Sequence, residues 1–175
     1  LLIKSYFFYT VTLSLNLTKD LNYLTRLKNF PDGLKGLVYY KIEEMKKLGI
    51  DVFVYAPNRL SKNDAKIFEN SLKDISRIIG VYLDNAKEAS KICDSKFVVI
   101  EFNVDKDIVF NISNTYNENN IDRIGIAGFT TKGRGHGHGL SLVSDILKEN
   151  KNFEATTSID GRYYNKSLKI ILKKD

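Results

Sequence analysis

One cysteine, two histidines and no starting methionine are what this 175-residue sequence has least of. A lone Cys93 excludes an intramolecular disulfide framework and fits a reducing compartment. Beside Ile92, near a helix end, it reads as a small buried filler rather than a nucleophile. The first residue is Leu1 rather than Met, as expected of a fragment of a longer protein. Apolar runs are short: Lys4 interrupts the opening stretch 1–17, which leaves too little for a membrane span. That stretch also lacks the basic start and small-residue cleavage site of a signal peptide. No internal repeat and no long low-complexity segment is present. A cationic stripe is missing too. Lys and Arg exceed Asp and Glu by 27 to 21, for a net charge of +6, but they are scattered among carboxylates. A nucleic-acid surface needs them clustered, so the charge fits small anionic ligands and no nucleic-acid partner is expected.

What is there is a soluble globular composition, 43% hydrophobic and 27% charged. The length allows one domain with a sizeable core and an incomplete appendage. The densest stretch runs from Gly128 to Leu140, Gly-Phe-Thr-Thr-Lys-Gly-Arg-Gly-His-Gly-His-Gly-Leu, with five glycines and both histidines in thirteen positions. Glycine lets backbone N–H groups approach an anion closely, and the apolar spacing after it, Leu140 to Lys148, is helical. A glycine-rich basic loop that opens a helix suits phosphate, because oriented amides and the helix N-terminus both favour negative charge. Alone, such a loop also fits a flexible surface turn.

Along the chain, Val11 to Leu17 alternates like a strand, and the role of residues 1–17 stays open. Leu21, Leu24, Leu27 and Phe30 then recur at helical spacing behind Thr18 or Asp20 as N-cap, until Pro31-Asp32-Gly33 breaks the run. A second helix is predicted over Leu34 to Leu48 and is stopped by Gly49. Ile50 to Tyr55 reads as a strand. A long amphipathic helix from Ser71 to Ile92 carries Ile75, Ile78, Ile79, Tyr82, Leu83, Ala86 and Ala89 on one face. Lys96–Val104 and Asp107–Ser113 form a hairpin about Asp105-Lys106, and Phe153–Ile159 and Leu168–Leu172 form two more strands around Asp160-Gly161. The expected fold is an α+β two-layer sandwich with helices on one face of the sheet.

Two motifs now line up. Leu83-Asp84-Asn85-Ala86-Lys87-Glu88-Ala89 resembles the N box of the GHKL ATPases, the superfamily of histidine kinases, gyrase-type topoisomerases and ninety-kilodalton chaperones. Thr130-Thr131-Lys132-Gly133 followed by Gly137-His138-Gly139-Leu140 resembles that superfamily's lid and second glycine box. The element order matches its mixed-sheet, Bergerat-type ATP-binding fold. Gly33 to Ile42 resembles the helix that opens the catalytic domain in peptide-sensing histidine kinases of the accessory gene regulator type. The resemblance implies a catalytic domain over residues 33–175, with residues 1–32 as a partial dimerisation helix or an unassigned segment.

It further implies that Asn85 is a magnesium ligand, a neutral hard-oxygen donor to an ion that keeps waters and bridges phosphates. Asn114 takes the place of the adenine-binding Asp of the first glycine box and can still accept through its carbonyl oxygen. Thr131, Lys132, Gly133 and Arg134 lie in the lid, with Lys132 and Arg134 approaching the phosphates. The amides of Gly135, Gly137 and Gly139, ahead of Leu140, cradle them. His136 and His138 are two apart with no Cys or carboxylate nearby, whereas zinc wants three or four ligands. They are incidental or donate to phosphate.

Val81 stands where gyrase-type members place a water-activating Glu, and a kinase has no use for that base. The resemblance implies an acceptor histidine on a helical hairpin upstream of the catalytic domain; both histidines here belong to the phosphate loop, so neither is that acceptor. Expected partners are ATP with Mg2+, that dimerisation helix and a response regulator. The full protein is expected to be a membrane-anchored homodimer with this domain in the cytoplasm, pairing through the Leu21, Leu24, Leu27 and Phe30 face. The alternative is a regulatory module that binds ATP without transferring it. Tyr39-Tyr40 and Tyr163-Tyr164 read as core or interface packing, and Asp84 and Glu88 as a solvated helix face.

Overall fold

The computed structural model describes residues 23–117, 138–161 and 163–172, the side chain of His138 excepted. Helix α1, Tyr23–Leu27, is followed by α2, Asp32–Lys47, and strand β1, Asp51–Tyr55. Helices α3, Lys62–Asn70, and α4, Leu72–Ser90, lead to strands β2, Phe97–Val104, and β3, Ile108–Thr115. Helix α5, His138–Glu149, precedes strands β4, Phe153–Asp160, and β5, Tyr163–Ile170. The five strands form one sheet in the order β1-β2-β3-β5-β4. β1 and β2 run parallel, as their long helical connection requires. The remaining pairs are antiparallel.

The helices cover one sheet face, and the expected two-layer sandwich is the observed one. α4 lies over β2 and β3, α2 packs on α4 and β1, and α5 packs on α4 and β4. Period-2 alternation sends Val98, Ile100 and Phe102 from β2 and Ile108, Phe110 and Ile112 from β3 into the interlayer core. They meet Leu34, Val38, Ile42 and Met45 of α2 and Ile75, Ile78, Ile79, Leu83 and Ala86 of α4. The α2 register is thus as the spacing predicts, and the helix ends at Gly49, whose φ of 71° favours a residue without Cβ.

Three expectations change. Leu27 and Phe30 do not form a free pairing face. They are 5% and 2% exposed, and the Phe30 ring sits 5.1 Å from Phe102 and 6.3 Å from Phe110. Only Leu24 of the described pair-face residues is exposed. Helix α3 has no counterpart in the sequence reading. Ser61 caps it, its Oγ accepting from the Asp64 amide at 3.1 Å while the Ser61 hydroxyl donates to the Asp64 carboxylate. Strand β5 starts at Tyr163, five residues ahead of the expected Leu168, and pairs along its whole length with β3 and β4. The strand and N-cap expectations for residues 11–22 lie outside the described residues. None of the described helices is long and apolar enough to cross a membrane.

Candidate functional site

Helix α4 supplies the N-box residues, and its position is fixed on three sides. Against α2, Lys41 Nζ lies 2.7 Å from Asp84 Oδ1, and Lys87 Nζ lies 3.1 Å from Glu44 and 3.3 Å from Asp84. Asp84 is therefore a cross-helix partner rather than one residue of a solvated face. Hydrogen bonding to Lys87, ahead of the opposing effect of burial, holds the Glu44 carboxyl below its usual range. Burial acts to lower the Lys87 pKa, but its bonds to Glu44 and Asp84 win and raise it. Glu88 pairs with Lys91 on its own helix.

The C-terminal end of α4 is tied to the sheet. The Ser90 hydroxyl, fully buried, donates to the Phe97 carbonyl at 3.1 Å. Thr115 Oγ1 lies 3.3 Å from Ser90 Oγ and accepts from the Phe97 amide at 3.2 Å. This buried cluster locks the end of β3, and with it Asn114, against the last turn of α4. Cys93 is half-buried just beyond, its Sγ donating to the Ala89 carbonyl at 3.3 Å. Burial pushes its thiol up, away from the thiolate that a nucleophile needs.

At the other end, Asn150 after α5 donates to Asp74 in the first turn of α4. Helix α5 consequently runs back along α4 and starts beside its middle. There Gly139 abuts Val81: a Cβ on Gly139 would meet Val81 Cγ1 at 3.1 Å. Close helix approach is what glycine supplies at this point. Val81 and Asn85 are one turn apart and share a helix face. The start of α5, the positive end of that helix's dipole, is therefore held against Val81, one turn from Asn85. Asn85 is half-buried, and its carboxamide has no hydrogen bond to another described residue. A neutral oxygen donor beside a helix N-terminus fits a metal that also carries phosphate and water. Among the described residues no three His, Cys, Asp or Glu cluster into an all-protein metal cage.

Asn114 lies within β3 rather than after it, opposite Val98 on one side and Tyr164 on the other. It is 3% exposed on the helix-facing side of the sheet. Its Nδ2 donates to the Thr115 carbonyl at 2.8 Å, which leaves Oδ1 as the acceptor. Tyr116 donates to the Gly161 carbonyl at 3.1 Å and joins the end of β3 to the β4–β5 turn.

The GHKL domain pattern matches residues 71–171, more than half of the chain. The chain belongs to the GHKL family. Among solved structures, this GHKL domain is similar to the catalytic domain of the histidine kinase ThkA. They share 18% identity over 82% of this chain and 92% of that one, with a TM-score of 0.58. The Acinetobacter baumannii histidine kinase AdeS aligns at 17% identity over 99% and 85% of the two chains, with a TM-score of 0.51. Full-length ShkA, solved in complex with AMPPNP, aligns at 17% identity over 81% of this chain and 30% of its own, with a TM-score of 0.54. At such identities the likeness is one of fold, a five-stranded mixed sheet with helices on one face. No curated protein matches the chain.

Of the residues expected at the site of this GHKL domain, Gly139 packs on Val81, one helical turn from Asn85, and Leu140 is half-buried in the first turn of α5. Asn114 lies near the last turn of α4, one strand position before Thr115. Thr131, Lys132, Gly133, Arg134, Gly135, His136 and Gly137 lie outside the described residues, as does the side chain of His138. Sequence reasoning overlooked the Ser90–Thr115 lock and Lys166 as the inward partner of Tyr164 in one pair. The alternation of Tyr164, Lys166, Leu168 and Ile170 was the signal for the pair.

Proposed function

We propose that this GHKL domain is the ATP-binding catalytic domain of a two-component sensor histidine kinase of the accessory gene regulator type. The observation that carries the reading is the packing of Gly139 on Val81, which sets a helix N-terminus one turn from Asn85. Phosphate oxygens fit that N-terminus and the glycines before it, Gly133, Gly135 and Gly137. Lys132 and Arg134 neutralise their charge, Thr131, His136 and His138 donate to them, and Leu140 anchors the start of α5. Asn85 holds Mg2+, which draws charge from the phosphates, while Asn114 Oδ1 accepts from the adenine amino group.

Phosphoryl transfer requires positioning and charge neutralisation more than a protein nucleophile. Val81, at the place of a hydrolytic base, offers no group to activate water, and that favours transfer over hydrolysis. The acceptor is a histidine on a dimerisation helix, and a response regulator takes the group onward. The catalytic domain spans residues 33–175, with the preceding segment packed on it through Leu27 and Phe30. The full protein is a membrane-anchored homodimer with this domain on the cytoplasmic side.

The test is incubation of the chain with γ-labelled ATP, magnesium and a separately produced helical hairpin that carries the acceptor histidine. Acid-labile label on the hairpin is expected. ATP binding without any label on histidine would replace the kinase by a regulatory ATP-binding module.

A further inference from the structure

On β5, Lys166 faces the helix layer, opposite Ile112 of β3, and Tyr164 stands opposite Asn114. In an antiparallel pair this makes Lys166 and Asn114 diagonal neighbours on one face, roughly 7–8 Å apart. Lys166 is 7% exposed. Its ammonium lies 4.9 Å from the centroid of the Tyr82 ring on α4 and 5.6 Å from that of Tyr164. No carboxylate among the described residues pairs with it. Rings attract a cation but accept no strong hydrogen bond, so all three N–H donors of a nearly buried ammonium remain unused. Such a group is costly unless a partner arrives. Burial pushes its pKa down to about 8, which expresses the same lack of a partner. No side-chain nitrogen or oxygen among the described residues is both sealed from solvent and unbonded. The Nζ atom is therefore not sealed from solvent, on the sheet face that Lys166 shares with Asn114.

We infer that Lys166 is a base-recognition residue of the nucleotide site, its ammonium donating a hydrogen bond to a ring-nitrogen acceptor of the purine while Asn114 Oδ1 accepts from the neighbouring amino group. The inference rests on the nucleotide reading proposed above. It follows from the placement of the groups. Phosphates belong at the start of α5, against Val81, whereas Lys166 belongs to the sheet floor one diagonal step from Asn114. The Tyr82 and Tyr164 rings flank the Lys166 ammonium, so the donor is positioned before the ligand arrives. An acceptor oriented by the Thr115 carbonyl beside a donor-only cation matches a base edge with an amino group next to a lone-pair nitrogen, which is the edge of adenine. Guanine presents a carbonyl where adenine presents the amino group and would set an acceptor against Asn114 Oδ1.

The test is calorimetric titration of the whole chain and its Lys166→Met variant with magnesium-ATP, magnesium-GTP and magnesium-tripolyphosphate. Thermal unfolding of both proteins is followed alongside; Met keeps the length and apolar stem, so the variant is expected to fold. Loss of one charged hydrogen bond predicts roughly tenfold weaker ATP binding, a narrowed preference for ATP over GTP and unchanged tripolyphosphate binding. Lys166→Arg, which keeps the charge and donors, is expected to recover part of the loss. ATP binding equal in wild type and Lys166→Met, while Asn85→Ala abolishes it, would overturn the role of Lys166 and leave the nucleotide site standing. Equal weakening of ATP and tripolyphosphate would make Lys166 a phosphate contact and also overturn the inference. No binding of any nucleotide by the wild type would remove the site and the inference together.

Discussion

Replacing Lys166 by Met in the nucleotide-free protein should stabilise it, and the size of the gain can be worked from the site. Burial lowers the Lys166 pKa from 10.5 to about 8. At ~1.36 kcal/mol per unit, keeping the charge in the folded state costs about 3 kcal/mol. The contacts with Tyr82 and Tyr164 offset ~1 kcal/mol or more of that. Lys166→Met should therefore gain about 1–2 kcal/mol near neutral pH. The folded pKa lies below the unfolded one, so the unfolded chain binds more protons between the two. The penalty is full below pH 8 and fades as pH rises towards 10.5, and wild type gains on the variant across that window. Tyr82, raised to about 12 mainly by burial, and Tyr23, raised to about 12 mainly by its hydrogen bond to Glu43, act oppositely. Each is neutral in the fold and ionises more readily when unfolded, so each removes stability above pH 10. Both residues remain in the two proteins, and their effect cancels in the difference. Urea unfolding followed by circular dichroism at about pH 7, 8.5 and 9.5 measures it. A variant less stable than wild type at neutral pH, or a gap that does not narrow as pH rises, would refute the reasoning.

Phe30→Ala should cost about 3–5 kcal/mol in the same urea experiment, because it empties a space among Phe102 and Phe110 rather than baring a surface. A cost below about 1 kcal/mol would return Phe30 to a pairing face. Ser61→Ala should lose about 1 kcal/mol with the α3 cap, and hydrogen exchange should show the loss in the Asp64 amide first. Gly139→Ala should gain less than the ~0.5–1 kcal/mol that Ala normally has over Gly in a helix, because its Cβ crowds Val81 Cγ1 at 3.1 Å. Adding Val81→Ala should relieve that crowding, and additive effects in the double-mutant cycle would argue against the contact.

The elements most legible in the sequence were those whose pattern is local. The 3.6-residue spacing of α2 and α4 and the alternation of β2 and β3 follow from burial on one face. Gly49 ends α2 because its positive φ suits glycine. Helix α3 escaped because Phe68 is its one fully buried residue, which is too little for an apolar stripe. Its Ser61-x-x-Asp64 cap was the remaining signal. The first half of β5 escaped because Tyr163 to Ser167 has a polar inward residue, Lys166, where a core strand normally places an apolar one. The stripe through Leu27 and Phe30 was read correctly as apolar but given the wrong cover, since spacing shows that a face is buried and not against what. The meeting of Gly139 with the Asn85 helix is a tertiary contact between segments some fifty positions apart, so only the family resemblance could anticipate it.

The central claim, that Asn85 and the start of α5 form one magnesium-nucleotide site, is tested most directly by calorimetry with magnesium-ATP on wild type and Asn85→Ala. The predicted result is saturable one-to-one binding that requires magnesium and falls at least about tenfold in the variant, a loss of ~1.4 kcal/mol or more. Binding that is absent from the wild type, or unchanged by Asn85→Ala, would contradict the account.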